Sequence, residues 1–484
     1  MCKRLRISTC LTLLVGLCCC QLSGAKQSAD PDARIKSLID RGDFAEAEKL
    51  LQAQIADPSQ PVTSGPAIQV EILRRTREDF PLTDKQVLAE VQRSIPDATA
   101  RDIDRWRTAG DLQYRIIDGQ RRYFQRAVSN LFRFNAEARS RQRKIAPKKA
   151  FDIPGMVAKL VRAAASSSSA QVYPVKHHVH YELAVHANNP HVKRGAVVRA
   201  WLPFPQEYRQ QKDVKLISSE PAGAQIASTH APQRTVYFEE VVTDPAKRPR
   251  FEVEYEFVTS AYCPKLDPAK VQPYDIHSAV YLEYTAERAP HIVFTPRVKS
   301  LVHEIVGDET NPLEKALRVF RWVSKNIRWC AEKEYSIIPS LSVEGLTARR
   351  GDCGVQGTSF ITLCRAAGIP ARWQSGWETK PGDFNMHDWS EIYIEPWGWL
   401  PADASYGVQK SSDPRVRDFY CGHLDPYRMI VNLDYGRKLE PPKISFRSEP
   451  TDFQRGEVEI DGHNLYFDQW DYKFEVQTTP LADK

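Results

Sequence analysis

Apolar residues at helical spacing open the chain and give way to strict alternation near residue 172. Ile35, Leu38 and Ile39 form one helix face, Arg41-Gly42-Asp43 a turn, and Phe44, Ala47, Leu50 and Leu51 a second face. Further helices are expected over Ile68–Asp79, over Asp84–Arg93 with Thr83 as cap, and over Ala100–Ala109. Beyond Asp118-Gly119 the pattern predicts one longer helix through Tyr123, Phe124, Ala127, Val128, Leu131 and Phe132. Arg139–Lys149 is strongly basic and reads as a solvated linker. These elements make a helical region over residues 26–150.

Strands follow at Val179–Val185, Val197–Leu202, Val214–Ile217, Val236–Val241 and Phe251–Val258, as expected of an antiparallel sandwich over 172–265. The sandwich histidines, His177, His178, His180, His186 and His191, read as a solvated face or strand edge, because only alternate residues share a face. Helical spacing returns behind Asn311-Pro312 and again behind Cys353, the second helix ending at Gly368-Ile369-Pro370. Strand-like runs then cover Ala371–Trp377, Trp389–Ile394 and Gly398–Ala402. A hairpin across Asp461-Gly462 and a last strand at Tyr472–Val476 close the chain. This places a catalytic domain over 266–435 and C-terminal strands over 436–484, packed on that core because so short a segment buries little alone. The fold class expected is multidomain α+β.

The length of 484 residues calls for about three domains. A mean hydropathy of -0.48 excludes a multi-pass membrane protein. Net charge is +6, and removing Lys3, Arg4 and Arg6 with a leader leaves a nearly balanced body, so no nucleic-acid partner is called for. Those residues precede the apolar run Leu11–Cys20 and the small residues Ser23, Gly24 and Ala25, the pattern of a signal peptide over 1–25. The expected location is exported, periplasmic or at the cell surface. Cys18, Cys19 and Cys20 leave open a lipoprotein leader, and membrane attachment through it. Five cysteines remain in the body: Cys263, Cys330, Cys353, Cys364 and Cys421. An odd number leaves a free thiol. Cys364 lies on an apolar helix face, while Cys263, Cys330 and Cys421 are the candidates for one disulfide.

A nucleophilic cysteine needs a lowered pKa, a base, and a group that orients the base. Cys353 stands at a helix N-terminus behind a glycine-flanked turn, where unpaired N–H groups and the helix dipole favour a thiolate. His387 lies between the polar loop Pro381–Met386 and a strand beginning at Trp389, and Asp403 ends the next strand. Antiparallel neighbours would bring His387 and Asp403 together. Seven of the ten tryptophans fall between Trp322 and Trp399. Arg372, Trp377, Trp389 and Glu391 are therefore candidates to line a substrate cleft or support the site.

Four pieces of this segment carry a family resemblance: the helix Ala316–Ile327, the turn Arg350–Gly354, the run Leu363–Arg372, and His387–Glu391 leading to Gly398–Asp403. In order and spacing the region from Tyr281 to Gly407 resembles the transglutaminase-like superfamily, which includes bacterial cysteine peptidases. The resemblance implies a papain-like core, with Cys353 as nucleophile, His387 as base and Asp403 as its orienter. One residue departs from it: Asp388 stands where relatives carry a small apolar side chain, and alternation should point it away from the base.

The resulting expectation is an exported thiol hydrolase that cleaves peptide or amide bonds through an acyl-enzyme on a peptide, protein or glycopeptide substrate. A protein-glutamine transamidase or deamidase uses the same three groups. A non-catalytic peptide- or glycan-binding surface protein is the alternative from another class. No calcium loop or metal-ligand cluster is present in the sequence, so no cofactor is expected.

Overall fold

The computed structural model describes residues 30–56, 65–143 and 150–482. The proposed leader and most of the basic stretch up to Lys149 lie outside the described residues.

The first region packs helices Pro31–Arg41, Phe44–Ile55, Gly65–Asp79, Asp84–Ser94, Ala100–Thr108, Ala127–Phe134 and Ala136–Arg141 around one core. Thr83 caps its helix as expected, accepting from Gln86 N–H in a capping box. The long helix expected beyond Asp118-Gly119 is instead a hairpin, Tyr114–Ile117 paired with Gln120–Tyr123, and the helix begins only at Ala127. Asp118 and Gly119 both adopt positive φ, the conformation of a two-residue hairpin turn, and this overrides the helical spacing of Tyr123 and Phe124. Part of the expected linker is the helix Ala136–Arg141, whose Arg141 pairs with Asp102 and Glu137.

Helix α1 (Ile153–Ser166), unread in the sequence, packs Met156, Val157 and Leu160 into the same core as the cysteine-bearing helix. A β-sandwich follows, built from β1 (Gln171–Val185), β2 (Val197–Pro203), β3 (Gln211–Glu220), β4 (Gln225–Ile226), β5 (Thr235–Val241) and β6 (Arg250–Tyr262). His178 and His180 lie at its partly exposed face against Glu254, Glu256 and Glu252, whereas His177 is fully buried and stacks on Phe257.

The catalytic-type core consists of helices α2 (Pro312–Asn326) and α3 (Cys353–Ala366) on a four-stranded antiparallel sheet. Its strands are β7 (Ala371–Lys380), β8 (Asp383–Ile394), β9 (Gly398–Ala402) and β10 (Arg428–Asn432), in the order β9-β8-β7-β10. A helix bearing the cysteine, packed on an antiparallel sheet, is the papain-like transglutaminase-type α+β architecture.

The C-terminal strands β11 (Glu457–Ile460), β12 (His463–Leu465) and β13 (Trp470–Pro480) correct the expected domain plan. They belong to the sandwich rather than to a separate layer on the core: one sheet runs β12-β11-β2-β5-β4 and the other β13-β1-β6-β3. Alternation marks a half-buried strand but does not say which sheet receives it. The segment leading from the core back to these strands lines the cavity of the site described next with residues 452–456.

Candidate active site

Register fixes which side chains share a face of the core sheet. Ser375 pairs with Asp388, Gly376 with His387, Gln374 with Trp389 and Arg372 with Glu391, without a register break between β7 and β8. Ser390 Oγ donates to the Gly357 carbonyl of α3, so the even residues of β8 face the cysteine helix. The odd residues His387, Trp389 and Glu391 therefore face away from it.

His387 sits inside β8 rather than in a loop before it, because the strand begins at Asp383 across the Pro381-Gly382 turn. On its face, His387 Nε2 and Asp403 Oδ2 lie 2.8 Å apart. Asp403 is fully buried; it also accepts from Arg428 Nη1 at 2.8 Å and from the backbone N–H groups of Ser405 and Tyr406. Burial opposes its charge, but His387, Arg428 and these N–H groups outweigh burial and hold the carboxyl well below its ordinary range. Arg428 itself is buried, bonded to Asp425 and stacked 4.1 Å over Tyr406. The expected partnership of His387 and Asp403 is thus present, with Arg428 as a third member that no motif announced.

Farther along the same face, fully buried Glu391 accepts from Tyr208 at 2.9 Å, from Arg209 at 3.0 Å and from Arg372 at 2.7 Å. Arg372 and Glu391 pair with each other instead of lining a cleft. Trp389 packs with Leu424 and Ile430, and Trp377 with Tyr181 and Phe474. Both indoles are buried, so the cleft role open to these four residues gives way to support.

The other face holds the cysteine. Asp352 caps α3 by accepting from Val355 N–H at 3.1 Å and presents Cys353 at the first helical position. Cys353 Sγ donates to Asp388 Oδ2 at 3.2 Å, and no hydrogen bond joins Cys353 to His387 among the described residues. Asp388 does point away from His387, and this aims it at the sulfur. Tyr335 Oη donates to the same Oδ2 at 2.9 Å, while Gln454 Nε2 donates to Oδ1 at 2.7 Å and to the His387 carbonyl at 2.9 Å. Gly354 makes this possible, since a Cβ there would lie 2.1 Å from the Tyr335 hydroxyl. Asp452, beside Asp388, accepts from Ser375 at 2.5 Å and from Asn432 at 2.9 Å.

This environment reverses the expected lowering of the cysteine pKa. Burial, then the Asp388 and Asp352 carboxyls, push the Cys353 thiol well up despite the helix N-terminus. Burial and neighbouring acids likewise raise Asp388, bring Asp352 to about 7 and Glu449 to about 8. The disulfide expectation also falls: Cys263, Cys330 and Cys421 are all free and buried, as is Cys364. The half-buried Cys353 opens on a cavity of about 490 Å³ that Arg126, Trp329, Tyr335, Gln454 and Phe467 help to line. Arg126 comes from the helical region. That region also grips the wall of the cavity, with Asn130 bonding both the N–H and the carbonyl of Ala331, and Asp79 accepting from Glu334 N–H.

Residues 299–404 match the model of the transglutaminase-like superfamily. An uncharacterized protein of Haemophilus influenzae is 28% identical, over 28% of this chain and 42% of its own length. The uncharacterized protein YebA of Bacillus subtilis is 26% identical, over 23% of this chain and 18% of its own. The chain therefore spans less than half of either relative. Among solved structures, a putative cysteine protease from Cytophaga hutchinsonii aligns with a TM-score of 0.42 and 16% identity, covering 64% of this chain and 92% of that one. The periplasmic domain of TgpA from Pseudomonas aeruginosa aligns with a TM-score of 0.24 and 16% identity, covering 56% and 98%. No helix among the described residues is long and apolar enough to cross a membrane.

Proposed function

Through residues 299–404 this chain belongs to the transglutaminase-like superfamily, and from that premise we propose that it is an exported thiol hydrolase of peptide or amide bonds. Cys353 is the nucleophile, His387 the imidazole base of the acyl-transfer cycle, and Asp403 the carboxylate that holds it. The observation that carries the reading is the thiol at the N-terminus of α3, opening on a cavity and seated on the residue adjoining a buried imidazole–carboxylate pair. Attack on a carbonyl there places the developing oxyanion near the first-turn N–H groups of α3, which have no intrahelical acceptor. Asp403 commits Nε2 of His387, so Nδ1 is the nitrogen that exchanges protons. The substrate is a peptide, protein or glycopeptide, and the enzyme is periplasmic or displayed at the cell surface, as its leader pattern supports.

The test is a mass profile of peptides incubated with the protein, with and without an added primary amine. Hydrolysis in both arms supports the reading. Amine-dependent adducts on glutamine would make the enzyme a transamidase, and deamidation alone a deamidase. Saturable binding with no chemistry in either arm would favour a peptide- or glycan-binding protein.

A further inference from the structure

We infer that Asp388 is a second catalytic acid–base residue, which takes the proton of Cys353 during attack and delivers it to the leaving amine. The assignment rests on Cys353 as the proposed nucleophile and names a proton carrier that the expected triad lacks. Its basis is contact: the thiol donates to Asp388 Oδ2 at 3.2 Å, whereas His387 and Asp403 lie on the opposite face of β8. The carboxyl is also held in place from two other elements. Tyr335 Oη fixes Oδ2 from one side and Gln454 Nε2 fixes Oδ1 from the other. A residue serving only to fill space at this position would need no such set of donors.

An ordinary carboxylate is too weak a base for a thiol, because efficient transfer requires comparable proton affinities. The groups facing Asp388 correct this. Asp452 from the segment behind it, Asp352 from the cap of α3, and Tyr335 and Cys353 themselves contribute no cation. Burial and these acids raise the Asp388 carboxyl above its ordinary range, which strengthens it as a base.

The sulfur–carbon bond forms as the S–H proton passes to Asp388 Oδ2. As the carbon–nitrogen bond breaks, that proton moves from Asp388 to the departing nitrogen, and Asp388 is again a carboxylate. Water then attacks the thioester, Asp388 takes its proton from the same face of β8, and that proton returns to the sulfur as the acid product leaves.

The experiment compares Asp388→Asn and Asp388→Ala with the wild type on two substrates of one acyl group, an alkylamide and a p-nitrophenyl ester. Only the amide requires a proton at its leaving group. Both variants are expected to lose acylation of both substrates, since each needs the thiol proton removed, and to lose at least ~10-fold more on the amide than on the ester. Equal losses on both substrates would mark Asp388 as structural, and amide turnover at the wild-type rate would remove it from the chemistry; either overturns the assignment. A wild-type protein forming no Cys353 adduct from the ester would defeat the proposed function, and this assignment with it.

Discussion

The two faces of the core sheet treat buried acids in opposite ways. Away from the cysteine helix, Asp403 and Glu391 are fully buried, yet each is matched by guanidinium or imidazole: His387 and Arg428 for one, Arg209 and Arg372 for the other. Both are held below the ordinary carboxylate range despite burial. Towards the cysteine helix, Asp388, Asp452 and Asp352 are surrounded by hydroxyls, amides and one another, and all are raised. One face therefore holds fixed charge, and the other holds acids raised above their ordinary range. Acyl transfer needs both: a preorganised ion set to hold the imidazole, and groups able to give and take protons at neutral pH.

Removing one member of the fixed-charge face tests it most severely. Glu391→Ala leaves the part-buried Arg372 and Arg209 without their carboxylate and is expected to cost about 3 kcal/mol of unfolding free energy. Denaturant melts of wild type and variant check this; a loss under about 1 kcal/mol would show that the face is not held by charge.

The face of raised acids predicts a pH slope of the opposite sign. Asp352 titrates near 7 in the fold against an ordinary 3.8, so its contribution to stability is complete below the ordinary value and is lost as pH rises through about 7. Asp403, depressed in the fold, contributes above its ordinary value and loses that contribution only as pH falls. Asp352→Asn keeps an acceptor at the helix cap and removes the first slope. Its melting temperature should gain on the wild type between pH 4 and pH 8, by the equivalent of a few kcal/mol at most. An unchanged difference across that range would contradict the protonated assignment.

For catalysis, His387→Ala is expected to lower kcat/KM by roughly 10²-fold or more, about 2.7 kcal/mol of transition-state stabilisation. Asp403→Asn is expected to lose less, because it orients the ring rather than carrying the proton. Steady-state kinetics of the two variants separate these roles. The smallest effect lies outside both faces: Thr83→Ala should cost ~1 kcal/mol of stability through its lost cap and leave kinetics unchanged. A fall in turnover there would show that the helical region's grip on Ala331 and Glu334 depends on that helix.

The sequence made the local features readable where one residue type enforces them. Thr83 after Pro81-Leu82 announces a cap, Cys353 behind Gly351-Asp352 a helix start, and the spacing to Asp403 a strand pair that joins it to His387. What escaped depends on distant partners. Arg428 stands 25 residues beyond Asp403 and reaches it through the β10–β7 pairing. Gln454 and Asp452 reach Asp388 only because the chain crosses back from the core to complete the sandwich. Asp388 was visible as a departure from the family pattern, and alternation gave its direction away from the base, but only the position of α3 revealed the sulfur there. The expected thiolate is lost for the same reason: burial and the acids brought in by tertiary structure outweigh the peptide N–H groups at the helix start.

The central claim, that Cys353 is the nucleophile, is tested most directly by trapping. The protein is mixed with the p-nitrophenyl ester and quenched in acid, and the covalent adduct is located by mass spectrometry of its peptides. One acyl group is expected, on the peptide containing Cys353, absent from a folded Cys353→Ala variant and with Cys364 unlabelled. An adduct on another residue, or undiminished turnover by that variant, would contradict it.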